Sequence, residues 1–516
     1  MLLNEFLERS ADSFPDKVAL ICQGKKSTYN EINQKADSFA RSLSALGLQR
    51  QERVIIQLEN SVECIIALFG ILKANGIFVI LNPKIKPKKL AYIISDCQSR
   101  ILVTDANHAQ QLREIFQDGT CLQQIVLTDM EKYTPWAGAN EGINQYSFND
   151  LLQTAPSKAT STRNIDIDLA SLIYTSGSSG NPKGVMLTHL NMVTAANSIT
   201  QYLDNRQDDI IIDTLPLSFD YGLYQVLMAF KLGATVVLEK GFIFPEQVIK
   251  TVVKERVTGW PIVPTIAAML CRLKNLEKHD FSCLRYISST GQVLPTNHIA
   301  RLREVFPGVK IYSMYGLTEC KRVSYLSPDQ LDKRPGSVGK AIPNTEVYVV
   351  DEAGEIIQEP GKSGELVVRG STVMRGYWGL PEETKRALRP GLYPGELVLY
   401  TGDLFKQDEE GYLYFLGRKD DIIKTSGHMV SPKEVENVLC EIDDVVEAAV
   451  IGIADDVLGS SVKAFVCLSA GSRLTEKEIL DFCYKNMEDY AVPKSVVIRD
   501  SLPRTDSGKI QKRDLI

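Results

Sequence analysis

Short apolar runs alternate with amphipathic stretches along most of the chain, and this alternation confines it to a layered α/β architecture. YNEINQKADSFARSLSAL places apolar residues at helical spacing, RVIIQL is a short apolar run, and CIIALFGILKA returns to the helical pattern. IFVILNP and RILVTD follow as buried strands, and the same kind of run recurs at IIIDTLP, ATVVLEK, TGWPIVP and LRYISST. Runs that are apolar on both faces need cover on both faces, which predicts largely parallel sheets clad with helices. Past residue 340 the strands shorten and gain Gly and Pro punctuation, as in TEVYVVDEAGE, GELVVRG, GELVLYTGDL and GYLYFLGRKDD. These predict a β-rich subdomain over about 340–419. Beyond GRKDDIIKTSG the order is helix (SPKEVENVLCEI), strand (VVEAAVIGI), strand (VKAFVCL), helix (TEKEILDFCYKNM), a small α+β unit. The expected organisation is a large α/β domain over 1–419 and a small α+β domain over 420–516, with the boundary at Asp420.

The chain has 516 residues, more than one hydrophobic core normally serves. Its net charge of -6 offers no general basic field for nucleic acid, so none is expected as a partner. Ten cysteines lie far apart with no C-x-x-C pair and no histidine cluster, a pattern of free thiols in a reducing cytoplasm without a zinc site. MLLNEFLERSADSFPDK carries acids where a signal peptide carries bases. The most apolar window, CIIALFGILKANGIFVILNP, is broken by Lys73 and Asn75, short of the ~20 residues a membrane span needs. A cytoplasmic protein without membrane insertion is expected.

The stretch SLIYTSGSSGNPKGVMLTH, residues 171–189, concentrates glycine, hydroxyl residues and one lysine. LASLIY reads as a strand and VMLTHLNMVTAANSI as a helix, so the Gly/Ser segment is expected to be a strand-to-helix loop. Its glycines let backbone approach a ligand, its hydroxyls and amides donate hydrogen bonds, and Lys183 adds a point charge. Charge-assisted bonds of roughly 1.5–3 kcal/mol each suffice, in small number, to hold a triphosphate. A surface turn is the alternative. The Walker pattern does not fit: counted from Gly177, its second glycine falls on Pro182, and Gly184 stands where Ser or Thr must meet magnesium.

YTSGSSGNPKGVMLTH resembles the phosphate loop of the adenylate-forming superfamily, which includes acyl-CoA synthetases, amino-acid adenylation enzymes and luciferases. MYGLTE (314–319), YTGDL (400–404), GRKDDIIKTSG (417–427) and LPRTDSGKIQKRDL (502–515) follow in the order of that family, and weaker similarity reaches back to LKANGIFVILNP. The resemblance implies ATP and Mg2+ as cofactors. It implies that Thr175, Ser176, Gly177, Ser178, Ser179, Gly180 and Lys183 wrap the β and γ phosphates, with Gly291, Gln292 and Val293 lining the adenine pocket. Tyr315 would stack on adenine, Thr318 would contact the α phosphate, and Glu319 would hold magnesium; an aromatic face and a carboxylate suit those tasks. Asp403 would accept the ribose hydroxyls and Arg418 would meet ribose or phosphate. Lys509 would bridge substrate carboxylate and α phosphate during adenylation. Asp420 would be the hinge about which a mobile C-terminal domain turns, bringing Lys424 to Gly427 towards an incoming thiol; a capping or surface aspartate is the alternative there. His189 is expected to cap or pack the following helix, because attack by an ionised carboxylate needs no base.

LPLSFDYGLYQVLMAFKLGA resembles the substrate segment of amino-acid adenylation enzymes, in which the aspartate after Ser-Phe, here Asp220, pairs with the α-amino group. A buried carboxylate is costly alone, and an ammonium about 4 Å away returns roughly 4 kcal/mol at intermediate dielectric. Helix N-capping is the other reading of Asp220. The resemblance adds Tyr221, Tyr224, Pro261, Ser288, Thr290, Met314, Arg322 and Val323 to the pocket, whose bulk suggests a small amino acid such as proline. GRKDDIIKTSGHMVSPKEVE is closer to acyl-CoA ligases, however, and Leu317 stands where modular adenylation domains carry proline. Arg322 would repel an ammonium and attract a second carboxylate. The leading expectation is a ligase of the L-prolyl-carrier-protein type, loading the phosphopantetheine thiol of a separate carrier protein; the alternative is an AMP-forming acyl- or aryl-CoA ligase. On either reading, Lys509→Ala lowers adenylate formation by about 10²- to 10³-fold while sparing thiol transfer from preformed adenylate. Equal loss of the two half-reactions in single-turnover assays would refute that role.

Overall fold

The protein is described from a computed structural model that covers residues 1–112, 120–134, 142–153, 163–176, 181–291, 294–419, 421–425, 428–455, 459–505 and 510–515. Strands among these residues form three sheets of 14, 8 and 5 members. In the largest, Val18–Cys22, Thr235–Leu238, Ile210–Asp213, Gly259–Ile262, Tyr286–Ser289 and Lys310–Tyr315 pair in parallel. Every apolar run named from the sequence is found as a strand at its expected place. The Gly- and Pro-punctuated strands after residue 336 continue this sheet: Lys310–Tyr315 pairs antiparallel with Ser324–Leu326, which passes the register to Ser337–Ala341 and Leu413–Arg418.

The second sheet is parallel through Arg53–Gln57, Ile77–Ile80, Ile101–Thr104 and Gln124–Leu127. Alternation along Arg53–Gln57 sends Val54 and Ile56 to the main core and Ile55 to a second core on the opposite face. The helix Val62–Lys73 is buried at every position from Cys64 to Leu72, which explains why its sequence is apolar all round. Its Phe69 ring stacks 5.4 Å from Phe230 of the helix Asp220–Leu232, joining the layers of the two sheets in one core. Buried Asn60 ties the loops together: its amide donates to the Leu215 and Glu239 carbonyls at 2.8 Å, and its oxygen accepts from the Leu217 amide at 2.9 Å. The third sheet contains only residues from His428 and its partner Ile423–Thr425 onwards, around cores of their own. No helix among the described residues is long and apolar enough to cross a membrane.

One expected element is different. The Gly/Ser segment is not flanked by strand and helix: Leu169–Ser176 and Pro182–Thr188 are antiparallel partners, with Thr175 opposite Lys183. The segment is therefore a hairpin connection. Val185 and Leu187 are fully buried, and Pro182–Thr188 is paired on its other edge by Gly376–Tyr377, so strand pairing overrides the helical reading of VMLTH. The helix begins at His189, where Thr188 and Asn191 form a reciprocal capping box.

His189 is wholly buried; its Nδ1 accepts the Leu3 amide at 3.0 Å, fixing the N-terminal segment to the start of the helix. Burial lowers its pKa from 6.5 to about 4. Protons thus bind the unfolded chain first, so its contribution is whole above about pH 6.5 and is lost as pH falls towards 4, by at most on the order of 3 kcal/mol. His189→Gln, whose amide oxygen accepts the same bond without titrating, will lose less melting temperature than the wild type between about pH 7 and pH 4.5; equal losses in calorimetry would remove His189 from the acid response.

Candidate active site

Parallel strands bury both faces, leaving their carboxyl ends as the place where polar side chains converge. Tyr315 closes the strand Lys310–Tyr315, and its hydroxyl donates to Asp403 at 2.5 Å. Asp403 is buried on Leu397–Gln407, in register with Arg418, whose Nε lies 3.3 Å from the carboxylate. Phe405 packs edge-on to Tyr315 at 4.9 Å, and Phe415 lies 6.2 Å away on the neighbouring strand. Burial and the adjacent Asp403 push the Tyr315 phenol well above its ordinary range, so it remains a donor. Gly291 has φ +96, and a Cβ there would meet nothing nearer than Val263 at 4.0 Å. That leaves open space beside Tyr286–Ser289, as a flat base requires.

A second cluster links the strand Pro182–Thr188 to Glu319. Lys183 pairs with Glu383 at 2.6 Å and lies 5.5 Å over the Tyr377 ring. The Tyr377 hydroxyl donates to Glu319 at 2.9 Å, and the Met374 amide donates to the Glu319 carbonyl at 2.7 Å. Burial and Glu319 together keep the Tyr377 phenol protonated. Residues 374–383 therefore brace the hairpin and the carboxylate at once. Sequence reasoning missed Tyr377 and Glu383; the signal lay in GYWGLPEET, because a largely buried lysine needs a counter-charge. Thr175 and Thr318 are both partly exposed, as ligand contacts require. Gly177, Ser178, Ser179, Gly180, Gln292, Val293, Asp420, Ser426, Gly427 and Lys509 lie outside the described residues.

The residues expected to line the acid pocket come together, but the pairing of Asp220 is different. Asp220 opens the helix Asp220–Leu232 and its carboxylate accepts from Lys321 Nζ at 2.9 Å, with the lysine side chain 1% and the aspartate 10% exposed. The charge assigned to a substrate ammonium is already neutralised within the protein. The N-capping alternative also fails, since Phe219 holds that position. Burial lowers the Lys321 pKa, opposed by the field of Asp220. Lys321 has φ +65, and a Cβ on Gly316 would stand 2.2 Å from the Lys321 carbonyl, so only glycine admits this backbone crossing. Tyr221 donates to the Ser288 carbonyl at 2.7 Å and Tyr224 to that of Met192 at 3.2 Å. Pro261 sits in register with Ser288, and Thr290, Met314, Arg322 and Val323 are buried beside them. The Lys-Arg dipeptide after YGLTEC was the available signal for the internal partner, yet Asp220 and Lys321 lie far apart along the chain.

The chain matches the AMP-binding enzyme family over residues 7–378 and the AMP-binding enzyme C-terminal domain over 434–509. It is 32% identical over 535 residues to a long-chain-fatty-acid–CoA ligase of Bacillus subtilis (strain 168), covering 100% of this chain and 94% of the relative. It is 31% identical over 506 residues to a 3-hydroxybenzoate–CoA ligase of Aromatoleum sp. (strain CIB), covering 97% and 93%. The crystal structure of the anthranilate CoA ligase AuaEII in complex with anthranoyl-AMP superposes with a TM-score of 0.90 at 29% identity, over 100% of this chain and 96% of that one. These relatives act on CoA, and they favour the acyl- or aryl-CoA ligase alternative over the amino-acid ligase serving a carrier protein. By full-length sequence match and by fold, the chain belongs to the adenylate-forming AMP-binding enzymes and is an AMP-forming acid–thiol ligase.

Proposed function

We propose that this protein activates a carboxylic acid other than an α-amino acid with ATP and transfers the acyl group to the thiol of coenzyme A. The observation that carries the choice of acid is the Asp220–Lys321 pair: the carboxylate expected to meet an α-ammonium is committed to an internal lysine. The choice of CoA rests on the relatives, which are CoA ligases along nearly their whole length.

The residues present suit a magnesium nucleotide. Tyr315 and the space at Gly291 accept a base, Asp403 can take ribose hydroxyl protons, Arg418 and Lys183 supply cations for the phosphates, and Glu319 offers a hard oxygen ligand. Magnesium bound there would neutralise charge on the phosphates. Lys183 exchanges Glu383 for a phosphate oxygen, while Tyr377 keeps Glu319 oriented. The acid's carboxylate oxygen attacks the α phosphorus; the new C–O–P linkage forms as the α–β phosphoanhydride breaks and pyrophosphate leaves. Lys509 stabilises the charge of that step. The CoA thiol, losing its proton, then attacks the acyl carbon and AMP departs. Asp420 is the hinge that removes Lys509 between the two steps.

Pyrophosphate exchange across amino, fatty, aryl and dicarboxylic acids, followed by transfer to CoA or to a holo carrier protein, tests this reading. Exchange is expected without amino acids as substrates and transfer to CoA is expected; activity confined to proline or another amino acid would overturn it. Asp220→Ala will destabilise the fold by about 3–5 kcal/mol through the stranded Lys321, and Asp220→Leu combined with Lys321→Met will recover most of that loss. Denaturant titration of the single and double variants reads the effect, and additive losses would show that the pair is not coupled.

A further inference from the structure

Asp220, Lys321 and Arg322 lie together, with the Glu319 carboxylate also acting on Lys321. Lys321 uses Asp220. Arg322, the next residue, is 4% exposed and has no carboxylate paired with it among the described residues. Its guanidinium lies 4.9 Å from the Tyr221 ring, and its Nη1 reaches the Lys321 carbonyl only at 3.4 Å. Among the described residues its Nε has no hydrogen-bond partner, and neither does the buried hydroxyl of Thr290. The aromatic face, the Tyr202 hydroxyl and the long carbonyl contact compensate the charge in part. A lysine in this position could shed its proton, but arginine cannot.

The chain accepts backbone cost to bring these cations inside. Lys321 adopts the left-handed region, which disfavours side chains with a Cβ, and Gly316 gives up its own side chain to let the segment pass. A left-handed backbone kept beside a cation that has no carboxylate partner among the described residues fits a ligand that supplies that charge. A plain alkyl tail would instead lay hydrocarbon against the guanidinium and leave it unpaired.

We propose that the acid activated here carries a second carboxylate, which stays ionised and is bound by Arg322 through the planar guanidinium fork, with the Thr290 hydroxyl as a further donor. This rests on the adenylation and CoA-transfer reading above and names its substrate class: a dicarboxylic acid. Tyr221 backs the guanidinium from its other side. Its own hydroxyl is tied to Ser288, so the ring is held and the fork is aimed before the acid arrives.

The test is a series of α,ω-dicarboxylic acids of increasing length beside their ω-methyl monoesters and the n-alkanoic acids of matched length, with kcat/KM read by pyrophosphate exchange in the absence of CoA. At the best length the diacid should exceed its monoester by about 10²-fold or more, because a site built around an ion pair rejects the ligand that leaves its charge unpaired. In Arg322→Gln the ratio of diacid to monoester should fall to near one, and Arg322→Lys should restore part of it. Alkanoic acids or monoesters that match the diacids in the wild type would overturn the inference, even if the variants fail to fold. So would an Arg322→Gln variant that keeps the wild-type ratio. Thioester formation is read in parallel with CoA added: CoA esters made from alkanoates but not diacids sink the dicarboxylate inference alone, whereas exchange without any CoA ester sinks the CoA reading and leaves the diacid ratio to decide the role of Arg322.

Discussion

Parallel pairing of strands that are apolar on both faces is the constraint from which the site follows. Such strands bury mostly apolar side chains along their length, with small exceptions such as Ser288, Ser289 and Ser313, and Tyr315 and Thr290 stand at or just beyond carboxyl ends while Asp220 opens the next helix. The helix Val62–Lys73, buried all round, and the helix Asp220–Leu232 fill the space between layers, and Asn60 fastens the loops above them. The loop that holds Leu215 and Leu217 leads into Asp220. Packing of the core and placement of the chemistry are therefore one problem with one solution.

Within that frame, charge is managed in two different ways. On the strand Pro182–Thr188, Lys183 is paired with Glu383 on a partly exposed segment, a contact that a more highly charged ligand can displace. In the acid pocket, Asp220 and Lys321 are sealed from water, where breaking a pair is expensive, and the leftover cation belongs to Arg322. The first arrangement suits exchange with a transient nucleotide. The second suits selection of one class of acid over another.

The strands and most helices were legible because their apolar patterns are local and burial enforces them. The phosphate hairpin was not: PKGVMLT continues into a true helix, and only pairing with Leu169–Ser176 on one edge and Gly376–Tyr377 on the other makes it a strand. Asp220 is expected to pair with a substrate ammonium, whereas in the structure its partner is Lys321. A carboxylate's need for a cation can be read from the chain, but whether the cation is a ligand or a distant lysine depends on a backbone crossing at Gly316 that no local pattern announces. Tyr377 and Glu383 escaped notice for the same reason, since each acts on a residue far from it along the chain.

The sequence by itself determined the layered α/β class, the adenylate-forming family and the residue types available for ATP, because periodicity and ordered motifs are properties of short segments. Only the tertiary structure decided that the Gly/Ser segment connects two strands, that Asp220 is spoken for by Lys321, and that Arg322 has no carboxylate paired with it among the described residues. Those outcomes depend on which side chains share a low-dielectric interior, where electrostatic pairing is strong and exclusive, and that sharing is settled by long-range packing.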